Sequence, residues 1–254
     1  MFALERQKRI MDLLTRDGAV LVSKLSTELG VTEETIRRDL EKLEKQESLR
    51  RTHGGAVPID ETTYELSLEK RKSTNVEAKK SLAKAAAECV VSGDTIFLDA
   101  STTTFFMAKE IKNIKNITVI TNSVRVINEL AGHDGIKLIA VGGAVSKNQS
   151  FVGNLAEKSI EENYFANKMF FSSKGIVADT GVLDSNEEEC GIKLKMIKNS
   201  TKRYYICDRT KIGRIGFVKL ADFGMISAFI TDAVLDGVLT QQLIDAEVEI
   251  IKVQ

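Results

Sequence analysis

A short apolar segment is followed by an acid and four consecutive hydroxyl residues in the stretch TIFLDASTTTFFMAKEI. The apolar residues predict a β-strand, and the residues from about 102 to 112 predict a helix. Backbone N–H groups at a helix start, together with the helix dipole, attract anions, and side-chain hydroxyls add further donors. Helix capping explains one of these hydroxyls, so we interpret the set as a phosphate-binding turn, with capping plus packing as the alternative. Its residues are Asp99, Ser101, Thr102, Thr103 and Thr104.

Polar or glycine residues also follow the next two predicted strands. ITVIT ends at Thr121 and leads into Asn122 and Ser123, and LIAV ends at Val141 and leads into Gly142 and Gly143. Ligands of open parallel sheets bind outside the carboxyl ends of the strands. We therefore expect these turns to share one cleft with the hydroxyl-rich turn, although a glycine pair by itself is also typical of an ordinary turn.

Two later segments combine acids and bases. GVLDSNEEECGIKLKMI places an acid before a predicted helix and a base within it, and acids at a helix start also satisfy the helix dipole. ICDRTKIGRIGF has an acid and two bases at the end of a strand, where they could grip sugar hydroxyls and phosphate or form a surface salt bridge. The candidate effector-binding residues from these segments are Asp184, Glu188, Lys193, Asp208, Lys211 and Arg214.

Apolar strands that alternate with helices must position these residues. Such alternation predicts a mainly parallel α/β sheet that is covered on both faces by helices. The predicted strands lie in GDTIFLD, NITVITNS, GIKLIAVGG, NKMFFSSKGI, KRYYICD, MISAFITD and EVEIIKV. We assign residues 76–254 to this effector domain and residues 59–75 to a linker, with a helical part from Tyr64 to Lys72.

Residues 1–58 have a different order of elements: helix, strand, helix, turn, helix and hairpin, which is typical of a winged helix-turn-helix domain. On a helical wheel the third helix turns its apolar residues inward and Thr35, Arg38 and Lys42 outward. Arg37 lies on the flank beside acidic residues, and a solvated charged face is the alternative interpretation. The predicted DNA-contacting residues of the helix and the hairpin are Thr32, Thr35, Arg37, Arg38, Lys42, Arg50, Arg51 and His53.

The composition of the 254-residue chain restricts the other classes of function. Lysine plus arginine equals aspartate plus glutamate, at 36 each, so the chain is not uniformly basic. No apolar run approaches the ~20 residues of a membrane span, and the first residues are too charged for a signal peptide. Cys89, Cys190 and Cys207 lack metal-ligand spacing, so we expect reduced thiols, no metal site and a cytoplasmic protein. A redox switch is the alternative for the cysteines.

Several motifs in order resemble the DeoR family of bacterial transcription regulators: RQKRIMDLL, then TEETIRRDLEKLE, then LRRTHGGAV, with similarity through nearly the whole chain. The resemblance implies a repressor whose front domain binds operator DNA. It also implies a back domain with the fold of ribose-5-phosphate isomerase and CoA-transferases. The family places its sugar-phosphate loop at the hydroxyl-rich turn, often with Gly where this chain has Ser101. DRTKIG is similar to the family's D-x-S-K-x-G motif, which implies effector roles for Asp208, Lys211 and Arg214.

These observations predict a repressor of a sugar-metabolism operon that a phosphorylated sugar releases from DNA, with no other cofactor. One small winged domain rarely binds an operator tightly, so we expect a homodimer or homotetramer. The alternative is a sugar-phosphate isomerase fused to a DNA-binding head. That chemistry needs a carboxylate base beside the sugar, and no residue is placed as one, so we assign no catalytic residue. A third hypothesis is a winged helix that binds protein.

Overall fold

A computed structural model describes residues 2–59 and 66–253. Residues 60–65 of the predicted linker lie outside the described residues, and so does Tyr64, where its helical part was predicted to begin. The chain forms two compact units that divide between Lys70 and Arg71, within the segment predicted as the linker. Among the described residues, no helix is long and apolar enough to cross a membrane.

The first unit is a winged helix-turn-helix, as predicted. Its small sheet has the order β1-β3-β2, and apolar residues of all three main helices, such as Ile10, Leu25, Ile36 and Leu40, form its core. Its elements are α1 (Ala3–Asp17), β1 (Val20–Leu21), α2 (Val22–Leu29), α3 (Glu33–Lys45), β2 (Arg50–Thr52) and β3 (Gly55–Val57), followed by α4 (Leu68–Ser73), in which the division falls.

Helix α3 is fixed at its start and in its middle. Thr32 is the N-cap, and its hydroxyl accepts a hydrogen bond of 3.3 Å from the N–H of Thr35. Asp39 is 2% exposed, and its carboxylate accepts hydrogen bonds from Arg6 and Gln7 on α1. A paired carboxylate in the core holds the two helices in one relative position, which orients the outward face of α3.

The second unit is built on a seven-stranded, fully parallel sheet with the order β15-β14-β12-β9-β4-β5-β6. Side chains alternate between two hydrophobic cores on its opposite faces: Phe97 and Phe171 lie in one, and Leu98 and Phe170 in the other. The elements are α5 (Val76–Glu88), β4 (Thr95–Leu98), α6 (Thr102–Ile111), β5 (Ile117–Thr121), α7 (Val124–Leu130), β6 (Ile136–Ala140), β7 (Ala144–Val145), β8 (Phe151–Val152), α8 (Asn154–Asn163), β9 (Ala166–Phe171), β10 (Gly175–Val177), β11 (Gly181–Asp184), α9 (Glu187–Lys198), β12 (Ser200–Cys207), β13 (Val218–Ala221), β14 (Ala228–Thr231), α10 (Gly237–Asp245) and β15 (Glu249–Lys252).

A second, three-stranded antiparallel sheet of β10, β11 and β13 differs from the predicted pattern. The segment NKMFFSSKGI was predicted as one strand, but β9 ends at Phe171 and β10 begins at Gly175 in the other sheet. Gly175 passes so close to Arg214 that an added Cβ would lie 2.2 Å from its carbonyl oxygen. The second sheet matters for the site because β11 delivers Asp184 and leads into α9.

Candidate functional site

The hydroxyl-rich turn is the N-terminus of α6. Ser101 is the N-cap with φ −69° and ψ 160°, a conformation that a side chain adopts without strain. Its hydroxyl accepts a 3.2 Å hydrogen bond from the N–H of Thr104, and its carbonyl accepts one from Phe105. The first N–H groups of a helix have no partner inside the helix, so those of Thr102 and Thr103 are the donors that suit an anion.

Asp99 lies beneath this turn and is fully buried. One carboxylate oxygen accepts from the N–H of Ser101 at 3.1 Å and from the hydroxyl of Thr104 at 2.7 Å. The other oxygen accepts from the N–H of Ser172, at the end of β9, at 3.1 Å. Through these bonds, Asp99 and Thr104 stabilise the conformation of the turn. Thr102 and Thr103 occupy the first two positions of α6.

The turn after β5 is also tied to its neighbours. The Thr121 hydroxyl donates to the carbonyl of Leu98 at 2.7 Å, and the Ser123 hydroxyl caps α7. The Asn122 amide N–H donates to the carbonyl of Phe151 at 3.1 Å, which fixes the orientation of the amide. Within the part of the chain that the structure describes, the Asn122 Oδ1 atom has no hydrogen-bond partner although it is buried. It is therefore an acceptor suited to a donor from a ligand.

Gly142 and Gly143 follow β6, as expected, but the close approach at Gly143 involves the protein itself. Its φ is +150°, and an added Cβ would lie 2.8 Å from the carbonyl oxygen of Val152 and 3.0 Å from the Ala156 side chain. Gly142 has open space around the position of a Cβ. The glycine at 143 therefore allows β8 and α8 to pack against this turn.

Lys193 joins two strand ends in a buried ion cluster. Its ammonium lies 2.7 Å from Asp184 and 3.4 Å from Asp99, and it donates to the carbonyl of Ser172 at 3.0 Å. All three charged side chains are buried. Burial opposes the charge on Lys193, but the two carboxylates outweigh it and raise its pKa above the ordinary value for lysine. The predicted residues Asp99, Asp184 and Lys193 are thus brought together as a structural cluster.

A second group of polar residues surrounds the end of β12, and we call it the β12 group. Its members are Ser172, Ser173, Asp208, Thr210 and Lys211. Lys211 donates to the Ser172 hydroxyl and to the Ser173 carbonyl, both at 2.8 Å, and burial lowers its pKa. Asp208 accepts from the N–H and the hydroxyl of Thr210. Burial works against its charge, but Lys211 and Thr210 lower the pKa of Asp208 below its usual value. Lys211 shares Ser172 with Asp99, so this group is continuous with the hydroxyl-rich turn.

The first turn of α9 contains the predicted Glu188 and, next to it, Glu189. Glu188 is exposed, whereas Glu189 is 5% exposed and accepts hydrogen bonds from the hydroxyls of Ser146 and Ser150. Burial raises the pKa of Glu189 above its ordinary value. Arg214 is half-buried, and its backbone lies against Gly175.

Two buried cations at the site were not predicted from the sequence. Lys79 on α5 is 3% exposed, and its ammonium donates to the carbonyls of Arg71 and Thr74 at 2.5 and 2.6 Å. Arg125 on α7 donates to the carbonyl of Ala100, beside the hydroxyl-rich turn, at 3.0 Å. Both residues lie on amphipathic helices, where a single lysine or arginine ordinarily indicates a solvated position.

The charge state of Lys79 gives a testable pH dependence. Burial and the nearby positive charge of Lys211 lower its pKa to about 8. Between that value and the ordinary pKa near 10.5, the unfolded chain binds a proton that the folded protein has lost. We therefore expect the stability of the wild type relative to Lys79→Met to rise with pH across this window. Urea unfolding of both proteins from pH 7 to pH 10.5 measures it, and a constant difference would contradict the assignment.

The predicted DNA-contacting residues lie on the exposed side of the first unit. The Arg37 guanidinium is 2.5 Å from Glu33, and that of Arg38 is 3.2 Å from Glu34. The Arg38 side chain is 74% exposed, against 51% for Arg37, so Arg38 is more available to DNA. The other exposed members of the set are Thr32, Lys42, Arg50, Arg51 and His53, while Thr35 is half-buried beside Thr32.

The cysteines are all free thiols. Burial raises the pKa of Cys190 to about 11 and that of Cys207 to about 12, so the reactive thiolate is scarce at both positions. Among the described residues, no group of three or more His, Cys, Asp or Glu side chains has a metal-binding arrangement.

Comparison with known proteins covers both units. The DeoR-like helix-turn-helix domain matches residues 6–62, and the DeoR C terminal sensor domain matches residues 74–233. At a TM-score of 0.42, the ribose 5-phosphate isomerase A of Methanocaldococcus jannaschii is similar over 56% of each chain with 15% identity. A likeness at this level carries no argument about activity.

Full-length relatives are much more similar. The Uncharacterized HTH-type transcriptional regulator YulB of Bacillus subtilis (strain 168) is 43% identical over 98% of this chain and 96% of its own length. A putative aga operon transcriptional repressor of Escherichia coli O157:H7 is 34% identical over 98% and 93%. The L-fucose operon activator of Haemophilus influenzae is 33% identical over 89% and 91%. The chain therefore belongs to the DeoR family of helix-turn-helix transcriptional regulators.

Proposed function

We propose that this regulator represses a sugar-metabolism operon and leaves its operator when a phosphorylated sugar binds the second unit. The observation that carries the proposal is a group of cations next to the α6 N-terminus. It consists of Lys79, Arg125 and Lys211, and we call it the cation group. Arg125 bonds the carbonyl of Ala100 within the turn, and Lys211 reaches the turn through the Ser172 residue that it shares with Asp99. Backbone donors and cations at one place favour a phosphate group.

Like charges repel each other within this group. Lys211 and Arg125 contribute to lowering the pKa of Lys79, and Asp208 acts in the opposite direction. Asp99 and Asp184 are already paired with Lys193. A phosphate dianion would remove the repulsion among the three cations, so we expect phosphorylated ligands to bind more tightly than the free sugars.

Two acceptors at the strand ends suit the hydroxyl groups of a sugar. Asp208 is held ionised at the end of β12, and the buried Asn122 Oδ1 is oriented by the bond from its amide to Phe151. An unpaired buried acceptor costs ~1–3 kcal/mol, which a ligand hydroxyl would recover. The ligand class that fits best is a monophosphate with several hydroxyls, and we propose no other cofactor.

The isomerase alternative is less well supported by the same geometry. Aldose–ketose isomerisation needs a carboxylate that is free to take a proton from the sugar. Asp99 and Asp184 are bound to Lys193, and Glu188 is exposed. We therefore propose a binding site without catalysis. Purified protein should not interconvert pentose or hexose phosphates; turnover that Asp184→Asn or Glu188→Gln abolishes would contradict this.

We further propose that the regulator acts in the cytoplasm as a homodimer or homotetramer. The recognition helix α3 spans Glu33–Lys45, and one such helix contacts only a short half-site. Two heads on one assembly would read two half-sites about one turn of DNA apart. The ligand can release DNA only if it binds one arrangement of the assembly more tightly than the other.

A thermal-shift panel tests the ligand class. We expect one or more of ribose 5-phosphate, glucose 6-phosphate, fructose 6-phosphate and fructose 1-phosphate to raise the melting temperature by several degrees at about 100 times its Kd, because a ligand of the native state stabilises it. The matching unphosphorylated sugars should give no shift. Equal shifts from sugar and sugar phosphate would argue against a phosphate site.

Variants of the β12 group test the effector response. Lys211→Ala and Asp208→Ala should bind operator DNA like the wild type and lose release by the active sugar phosphate, because they remove a phosphate cation and a hydroxyl acceptor. Gel shifts with and without the sugar phosphate measure both properties. Lys219→Ala is the control, since Lys219 is an exposed partner of Asp222. Normal release from both site variants would show that these residues are not part of the site.

A further inference from the structure

Lys79 connects the cation group to the chain segment that leads from the first unit. Its ammonium holds the carbonyls of Arg71 and Thr74, and we call these two hydrogen bonds the lysine clamp. Arg71 lies in α4 and Thr74 directly follows it, so the clamp closes the end of the helix in which the two compact units divide.

The same segment borders the β12 group through a second contact. Asn75, which precedes α5, donates from its side-chain amide to the hydroxyl of Thr210 at 2.9 Å and to Asp208 at 3.3 Å. Arg71 also donates to the side chain of Asn148 at 2.6 Å. Residues 71–79 therefore form one side of the candidate site rather than a separate tether.

The two carbonyls of the clamp bind an ammonium more weakly than a phosphate would. A carbonyl is a neutral dipole, whereas hydrogen bonds between ionised partners are about twice as strong. The segment that Lys79 holds reaches the end of β12 through the contacts of Asn75 with Thr210 and Asp208. Lys211 and Arg125 also contribute to lowering the pKa of Lys79, in agreement with a position at the site that a phosphate would enter. A bound dianion would attract all three cations at once.

We propose that Lys79 exchanges partners when ligand binds: its ammonium leaves the carbonyls of Arg71 and Thr74 and becomes a direct phosphate contact. This rests on the proposed function, because it assumes a phosphate at the site. When the clamp opens, the end of α4 is released. Ligand binding in the second unit thereby changes the segment that connects this unit to the DNA-binding unit.

The test uses the full chain with inorganic phosphate as the probe, together with any sugar phosphate that shifts the melting temperature. In the wild type, phosphate should increase backbone hydrogen exchange across residues 71–76. Lys79→Met should bind phosphate at least tenfold more weakly by titration calorimetry. Its exchange across residues 71–76 should already be fast without phosphate and should not change when phosphate is added.

Two further variants separate the outcomes. Lys80→Met is the matched control, because Lys80 is exposed on the same helix and pairs with Glu77 at 2.9 Å; it should behave as the wild type. Lys79→Arg keeps the charge and should retain most of the phosphate affinity, which would show that any loss in Lys79→Met is not a folding defect.

Two results would overturn the inference. One is equal phosphate affinity in Lys79→Met and the wild type, and the other is hydrogen exchange at residues 71–76 that phosphate leaves unchanged in the wild type. Failure of the wild type to bind phosphate and every sugar phosphate would instead overturn the proposed function.

Discussion

Replacing Lys193 by Met should lower the free energy of unfolding by about 3–5 kcal/mol. Lys193 is the cation between Asp99 and Asp184, and all three side chains are buried. Without it, two carboxylates remain in the interior with no opposing charge. Urea denaturation followed by circular dichroism measures the change.

Two additional variants make this prediction specific. Lys195→Met is the control on the same helix, because Lys195 pairs with the half-exposed Glu161 and should contribute less than about 1 kcal/mol. The double variant Lys193→Met with Asp184→Asn should be more stable than Lys193→Met alone, since it removes one of the stranded charges. A loss below 1 kcal/mol for Lys193→Met, or a double variant less stable than the single one, would contradict the role of the cluster.

Combined replacement of Arg38 and Lys42 by Ala should weaken operator binding by about 100-fold or more. Each good side-chain contact to DNA contributes about 1–3 kcal/mol, and a dimer would lose contacts in both half-sites. Both residues are exposed on the outward face of α3, and the Arg38 side chain is 74% exposed. The loss should be accompanied by a weaker dependence of affinity on salt, because fewer phosphate charges are neutralised.

Gel shifts with the DNA upstream of the gene itself, over a series of salt concentrations, measure this effect. Lys45→Ala is the control: Lys45 is exposed on the same helix but pairs with Glu41 at 2.7 Å, and it should change affinity less than threefold. Unchanged affinity in the double variant would show that another face of α3 contacts DNA. The absence of any salt-dependent binding by the wild type would favour the protein-interaction hypothesis for the winged helix.

The fold follows from local signals in the sequence. Thr32 and Ser101 each precede a helical pattern, and each caps its helix with a side-chain hydrogen bond. The apolar strands predicted a parallel sheet buried on both faces, which the seven-stranded sheet and its two cores confirm. The carboxyl ends of parallel strands share one edge of a sheet. The same pattern therefore predicted that Asp99, Thr121 and Asp208 would lie at one edge of the sheet.

Several features of the site could not be predicted from local sequence patterns. Lys79 lies in EAKKSLAK, where nothing distinguishes the buried lysine from the exposed Lys80 beside it. Likewise Glu188 and Glu189 are adjacent acids, and only the rotation of α9 decides that Glu189 is the buried one. The break between β9 and β10 depends on the close contact of Gly175 with Arg214, a long-range contact that local patterns do not report.

The start of α6 has a consequence for how this type of sensor could diversify. The anion donors that we propose there are the backbone N–H groups of Thr102 and Thr103, which most substitutions leave in place as long as Ser101 and Asp99 hold the turn. By contrast, the acceptors suited to sugar hydroxyls, Asn122 and Asp208, are side chains that directly follow other strands. If the proposed phosphate site is correct, duplicated copies of the gene could exchange one sugar for another by mutation at the strand ends and keep that site unchanged.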